Sequence, residues 1–322
     1  MCETSTRNGE VKVQDRPNSL WTSTHDTSAW NQGCYEDTCS CTPNLDRLAV
    51  LTHRNIGSSL AETDRGGRME IRPLGNTGID VSRLCFGTGT SGWAGASNQT
   101  RLGMDAFVEL LLYGYGKGIL FWDLADQYGS HANAAKALKQ VDRRSVVLTT
   151  KTTASSKSEA EADIDRFLRE LGTDYLDIVL MHCLTSADWS KSKRGIMEAL
   201  TAAKAAGKIR AHGVSCHDLG AFEVAADEPW VEVVLARINY GGHHMDGPPE
   251  TIIPIIERMA DNGKGVYGMK VIGAGELDDD ARNAIHYVLD LPSIEAITIG
   301  MISQAEVDEN VGWVEEHALT PA

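Results

Sequence analysis

The apolar pattern of the chain changes at Met69. Residues 1–68 are polar, rich in Thr, Ser, Asn and Asp, and carry one short apolar stretch at 45–51. Such a segment buries too little surface to offset its chain entropy. It reads as a disordered or non-native extension, with Met69 the natural start of the functional unit; a tail serving a partner or targeting is the competing reading. From Met69 to Ser82 the positions alternate around Gly75-Asn76-Thr77-Gly78, which predicts a β-hairpin. Short apolar runs then take turns with helical periodicity. Strands are expected at 83–86, 119–124, 146–150, 176–181, 211–215, 231–237, 265–269 and 296–299. Helices are expected at 102–118, 132–139, 158–171, 193–206, 219–226, 251–262, 279–290 and 304–316.

Strict alternation of strand and helix implies a parallel sheet. Eight units in the 254 residues from Met69 to Ala322 match the size of a closed (β/α)8 barrel better than an open doubly wound sheet. The expected fold is therefore α/β: a TIM barrel with an N-terminal hairpin cap over 69–322. Gly87-Thr88-Gly89-Thr90 lacks the Gly-x-Gly-x-x-Gly spacing of a Rossmann nucleotide site.

A formal net charge of -15 disfavours a nucleic acid or an anionic membrane as the main partner. No apolar run approaches the roughly 20 residues of a bilayer span, and the first residues lack the features of a secretory signal. The cytoplasm is the expected location. Of the seven cysteines, Cys85, Cys183 and Cys216 fall in or beside predicted strands and read as small hydrophobes. Cys34, Cys39 and Cys41 cluster without the spacing of a metal site or a recognisable disulfide framework. Oligomeric state is not encoded legibly.

Asp123, Tyr128, Lys151 and His182 each lie at or just past the end of a strand-like run. In a βα array such positions open into the mouth where chemistry occurs. A phenol is a poor acid near neutrality, and a nearby ammonium lowers its pKa. Lys151 can supply that charge, Asp123 can hold Lys151, and His182 can bond a substrate oxygen. Singly, each has an ordinary explanation as a rim ion pair, a packed ring or a satisfied core histidine; the four together point to proton transfer. No side chain supplies hydride, so a redox reaction requires a cofactor. His243, His244 and Asp246, His212 with His217, and His131 match no metal motif, so no metal is expected. Trp93, Trp122 and Trp189 could face a ring substrate or pack in the core.

The motifs in this order resemble the aldo-keto reductase family. They are Pro73-Leu74-Gly75-Asn76-Thr77-Gly78, Asp123-x-Ala125-x-x-Tyr128-Gly129, Lys151 ending the third strand, and Asp177-x-x-Leu180-x-His182. Gly213-Val214-Ser215, and Gly300-x-x-Ser303 leading to Glu309-Asn310, complete the set. The resemblance implies reversible, nicotinamide-dependent reduction of a carbonyl (aldehyde, ketone or sugar) without metal, on a small-molecule substrate. It casts Tyr128 as general acid/base, with Lys151, Asp123 and His182 completing a tetrad. Ser215 is then expected at the nicotinamide carboxamide and Tyr267 as the ring on which the nicotinamide stacks. Gly300, Ser303, Glu306 and Asn310 are expected at the adenosine half, with Lys270 facing the cofactor or the rim.

Three departures stand out. Cys216 and His217 follow Ser215 where an Asn is usual, and Leu235 stands where a Gln is usual, with Arg237-Ile238-Asn239 next. Residues 300–306 carry no Arg or Lys for a 2′-phosphate, and Glu306 and Asp308 would repel one. The family precedent favours NADP(H), and this local chemistry admits NAD(H). Rival readings are an NAD-dependent sugar or polyol dehydrogenase, a non-catalytic nucleotide-binding regulatory barrel, and a Lys151 Schiff-base lyase, which Asp123 disfavours by keeping the amine charged.

Overall fold

The structure, a computed structural model, describes residues 69–319. The expectation for 1–68 lies outside them. Strands β1 (Ile71–Pro73) and β2 (Asp80–Ser82) form an antiparallel hairpin. Eight further strands follow: β3 (Leu84–Gly87), β4 (Phe121–Asp123), β5 (Val147–Thr152), β6 (Leu176–Leu184), β7 (Ile209–Cys216), β8 (Val233–Arg237), β9 (Gly265–Met269) and β10 (Ala296–Gly300). They pair in chain order into a closed barrel, in which β10 bonds in parallel to both β9 and β3.

The outer layer comprises α1 (Met104–Gly116), α2 (His131–Leu138), α3 (Lys157–Leu171), α4 (Trp189–Ser192), α5 (Arg194–Ala205), α6 (Leu219–Asp227), α7 (Pro249–Asp261), α8 (Ala281–Leu289) and α9 (Gln304–Leu319). The helix α3 shows why the sequence folds this way. Ala160, Ile164, Phe167 and Leu171 recur at helical spacing and form its buried stripe, while Ser156 caps it by accepting the Glu159 N–H at 3.3 Å. Asp218 caps α6 in the same manner, through the Ala221 N–H at 3.0 Å. No described helix is long and apolar enough to cross a membrane.

The site is set by the two-residue period of the strands. Cys85, Phe121, Val147, Ile178, Leu180, Ala211, Val233, Leu235, Tyr267 and Ala296 form one buried cluster inside the barrel. Side chains two residues further along each strand face the same side. Above this plug the mouth layer is made by Gly87, Asp123, His182, Arg237 and Met269, two residues past a plug position, and by Lys151, Ser215 and Gly300, four residues past one. Below it, Leu74, Ile79 and Val81 of the hairpin join the same cluster and stopper the opposite end. The stopper fits closely: Gly75 holds a φ of 51°, and a Cβ there would fall 2.3 Å from the Gly265 nitrogen.

Predicted strands and helices recur with shifted ends. The four-residue α4 is too short to leave a periodic signature. The sixth strand runs past its expected end at 181 because its register shifts between Met181 and Leu184, a bulge in which Cys183 takes a φ of 60°.

Candidate active site

Asp123 ends β4, and Lys151 is the fifth residue of β5 on the neighbouring strand. The Lys151 Nζ donates to Asp123 Oδ1 at 2.5 Å and to the Leu124 carbonyl at 2.8 Å. Lys151 is completely buried, and burial alone would lower its pKa. Asp123 and Tyr128 more than offset that penalty, so the net shift of the ammonium is upward. Burial raises the Asp123 carboxyl in turn, against the pull of Lys151.

Tyr128 stands on a single 3-10 turn, Asp126–Tyr128, directly after the fourth strand. Its ring lies over the Lys151 ammonium, 4.9 Å from Nζ to the centroid. Its Oη sits 3.4 Å from His182 Nε2, and the two rings meet edge to face at 5.7 Å. Burial pushes the phenol above its ordinary value of about 10, and Lys151 opposes this without overcoming it. Lys151 pulls the Tyr128 pKa down as expected, but its charge does not outweigh desolvation, so the net shift is upward. The phenol keeps its proton at neutral pH. Burial, Lys151 and His217 hold His182 down at about 3, so it is a neutral imidazole, and its buried Nδ1 has no hydrogen-bond partner.

The turn that carries Tyr128 is braced from behind. Arg166 of α3 makes a bidentate pair with Asp126, at 2.7 and 2.9 Å, and also reaches Asp163 and Glu170. Glu170 accepts from His131 Nδ1 at 2.7 Å, and Thr150 bonds the other His131 nitrogen at 2.8 Å. His131, weighed above as a metal ligand, is a buried link in this brace, kept neutral because burial outweighs Glu170. In front, Gly89 and Gly92 leave the space that the Tyr128 ring fills.

The expected cofactor residues divide. Ser215 lies in the mouth layer on β7, fully buried, with no partner for its Oγ. A buried hydroxyl left unpaired costs free energy that an amide or hydroxyl of a ligand would recover. Gly300 ends β10 in the same layer. Ser303 and Glu306 cap the start of α9, with Ser303 Oγ accepting from the Glu306 N–H at 3.2 Å and Glu306 from the Ile302 N–H at 2.9 Å. Asn310 is turned into that helix, its amide donating to the Glu306 carbonyl at 2.7 Å.

Tyr267 does not lie where a stacking ring must. It is wholly buried, packs against Phe121 at 5.1 Å between ring centroids, and its hydroxyl donates to Asp123 Oδ1 at 3.3 Å. The strand-end residue on that face is Met269, two positions on and partly exposed. Likewise Leu235 is part of the barrel plug, and Arg237 is the eighth strand's residue at the mouth. Lys270 follows Met269 in a left-handed conformation, φ 61°. Both Met269 and Arg237 are found by counting in twos from the apolar interior positions.

His217 and Cys183 line the same rim, with Sγ 3.2 Å from His217 Nδ1. Trp93 is exposed, whereas Trp122 and Trp189 are buried. Among the described residues, no three His, Cys, Asp or Glu side chains converge as a metal site. A cavity of about 500 Å³ lies at the other end of the strands, lined by Asn76, Thr77, Glu232, Asn262 and Lys264. It is remote from the Asp123–Lys151 pair, and the Lys264 Nζ there is taken by two backbone carbonyls.

Known proteins carry the same framework. The model of the aldo/keto reductase family matches residues 83–288. An L-galactose dehydrogenase of Arabidopsis thaliana is 25% identical over 77% of this chain and 89% of its own length. A protein of Glycine max described as a probable aldo-keto reductase is 33% identical over a shorter stretch, 35% of this chain and 36% of its own. Among solved structures, the holo form of an aldo-keto reductase from Bacillus halodurans superposes with a TM-score of 0.64 at 22% identity, covering 79% of this chain and 93% of that one.

Proposed function

The chain belongs to the aldo/keto reductase family, a family of NAD(P)H-dependent oxidoreductases, and on that premise we propose that it interconverts a small-molecule carbonyl and the corresponding alcohol, with Tyr128 as general acid/base. One observation carries the reading: a protonated phenol and a neutral imidazole, Oη to Nε2 at 3.4 Å, stand over a buried Lys151–Asp123 pair. When bound, the reduced nicotinamide supplies a hydride to the carbonyl carbon and is itself oxidised. Tyr128 gives its proton to the carbonyl oxygen as that oxygen gains the electron pair of the broken C=O π bond. The resulting phenolate faces the Lys151 ammonium, which stabilises it far better in this buried setting than water-screened charges would. His182, held neutral, can donate one hydrogen bond to the same oxygen and fix the carbonyl. Tyr267 acts on this centre indirectly, by bonding Asp123.

The unpaired Ser215 Oγ fits a carboxamide, and Gly300, Ser303, Glu306 and Asn310 are the proposed contacts of the adenosine half, with Lys270 at the rim between. The cofactor proposed on family grounds is NADP(H). A second reading, an NAD-dependent dehydrogenase of a sugar or polyol, has its own support. Residues 300–306 lack a cation, Asp308 already engages Lys117 at 2.7 Å and Tyr113 at 2.8 Å, and the Arabidopsis relative is a sugar dehydrogenase by name. Fluorescence titration with NADPH and NADH, followed by a carbonyl and sugar panel with whichever binds, separates the two.

The test of the proton donor is Tyr128→Phe. It is expected to retain cofactor affinity while turnover falls by about 100-fold or more. Near wild-type reduction by the variant would falsify the assignment of Tyr128.

A further inference from the structure

Arg237 occupies the mouth of the barrel and is poorly satisfied there. A guanidinium has five N–H donors, and the hydrogen bond found is Nη1 to Asp246 Oδ1 at 3.2 Å, the long end of the range. The Nε is buried without a partner. Only 17% of the side chain is exposed, and that of Asp246 only 4%. Lys270, from the next strand end, adds a second cation whose ammonium has no hydrogen-bond or ion-pair partner among the described residues. Burial and Arg237 together lower its pKa.

This pair of like charges is held in place. Asn239, wholly buried, donates through Nδ2 to the Lys270 carbonyl at 3.0 Å and to the His243 carbonyl at 2.8 Å, and accepts the His243 N–H at 3.0 Å. One side chain thereby fixes the left-handed backbone at Lys270 and the loop that leads to Asp246. A strap meant only to tie that loop down would saturate its guanidinium and would not set an unpaired ammonium beside it, since both choices cost free energy. In a chain of formal net charge -15 such a local excess of positive charge is conspicuous.

We infer that Arg237 is the recognition group for an oxyanion, a carboxylate or phosphate carried by the carbonyl substrate, with Asp246 as its internal placeholder in the absence of that substrate. The inference rests on the proposed carbonyl reduction and deepens it. Arg237 and His182 belong to the same mouth layer. The His217 ring lies 6.5 Å from that of His182, and His217 is depressed to about 4 by burial first and then by Arg237, Lys270 and Lys151. A substrate bearing its anion a few bonds from its carbonyl can therefore meet both groups at once. Bidentate pairing of a guanidinium with a carboxylate or phosphate would satisfy the orphan donors that Asp246 leaves open.

The experiment compares kcat/KM for 4-carboxybenzaldehyde with that for benzaldehyde. Removing Arg237 alone strands a buried carboxylate, so the informative variant is Arg237→Gln combined with Asp246→Asn, with its fold checked by thermal melting. The charged-over-neutral ratio is expected to fall about tenfold or more in the double variant. Asp246→Asn alone, which removes the competitor, should keep or raise it. An unchanged ratio overturns the inference, as does a variant that loses only cofactor affinity in the fluorescence titration, because the anion would then be the cofactor's. If the wild type reduces neither aldehyde, the proposed reaction itself is at fault, and calorimetric titration with benzoate decides the Arg237 site separately. Binding weakened about tenfold in the double variant supports it; equal or absent binding overturns it.

Discussion

Gly89 decides where Tyr128 can stand. A Cβ at that position would fall 2.3, 2.4 and 2.7 Å from three atoms of the phenol ring, and one at Gly92 would fall 2.5 Å from a fourth. Ring atoms of a braced tyrosine cannot yield like the end of a flexible chain, so Gly89→Ala should displace Tyr128 by a fraction of an ångström to an ångström. The predicted outcome is a folded protein, judged by melting and circular dichroism, with turnover lowered about 10- to 100-fold; unaltered turnover would remove Gly89 from the site. Nothing in the sequence distinguishes this glycine from one that merely makes a turn, since its need arises from a ring 39 residues later. Other residues were legible. Asp123, Lys151 and His182 follow apolar runs at the strand ends, and the strand period carries them to one layer. Tyr267 was placed one step too high because its role came from motif likeness. Counting alternate positions puts Tyr267 and Leu235 in the plug and raises Met269 and Arg237 to the mouth.

Among elements, the turn Asp126–Tyr128 depends on α3 more than on its own three residues. Arg166 grips both oxygens of Asp126 while bonding Asp163 and Glu170, and Glu170 continues through His131 to Thr150 of the fifth strand. This brace joins four elements, the turn, α3, α2 and β5, and no local pattern announces it. The helices and strands themselves were legible because each carries its own periodicity. The bulge in β6 was not, since polar His182 and Cys183 end the apolar run before the pairing ends. Arg166 is about one-third exposed, so its pairs contribute little to global stability. Their effect belongs to geometry: Arg166→Met is expected to leave the melting temperature within a few degrees while lowering kcat about tenfold, and Arg166→Lys to restore it only in part, since an ammonium cannot grip both oxygens at once. A kcat equal to wild type in Arg166→Met would show that the turn holds itself.

For the molecule as a whole, the critical step is closure, because a parallel barrel left open exposes two unpaired edges. The first and last barrel strands meet through parallel backbone bonds, and Arg83 rivets the same junction from below. Only 4% exposed, it donates through Nη2 to the Leu289 carbonyl at 2.6 Å and through Nη1 to the Ile294 carbonyl. Leu289 ends α8 and Ile294 lies between α8 and β10, both about 200 residues away along the chain. Burial, with Arg72 adding to it, lowers the guanidinium to about 10, still charged at neutral pH. Arg83→Met fills similar space and leaves two buried carbonyls without donors. Unsatisfied groups of this kind cost about 1–3 kcal/mol each, so a loss of about 2–4 kcal/mol in urea unfolding at pH 7 is expected. The mouth layer sits at the opposite end of the strands, so the folded fraction of Arg83→Met should keep its cofactor affinity. A variant as stable as wild type would show that backbone pairing between the first and last strands closes the barrel unaided.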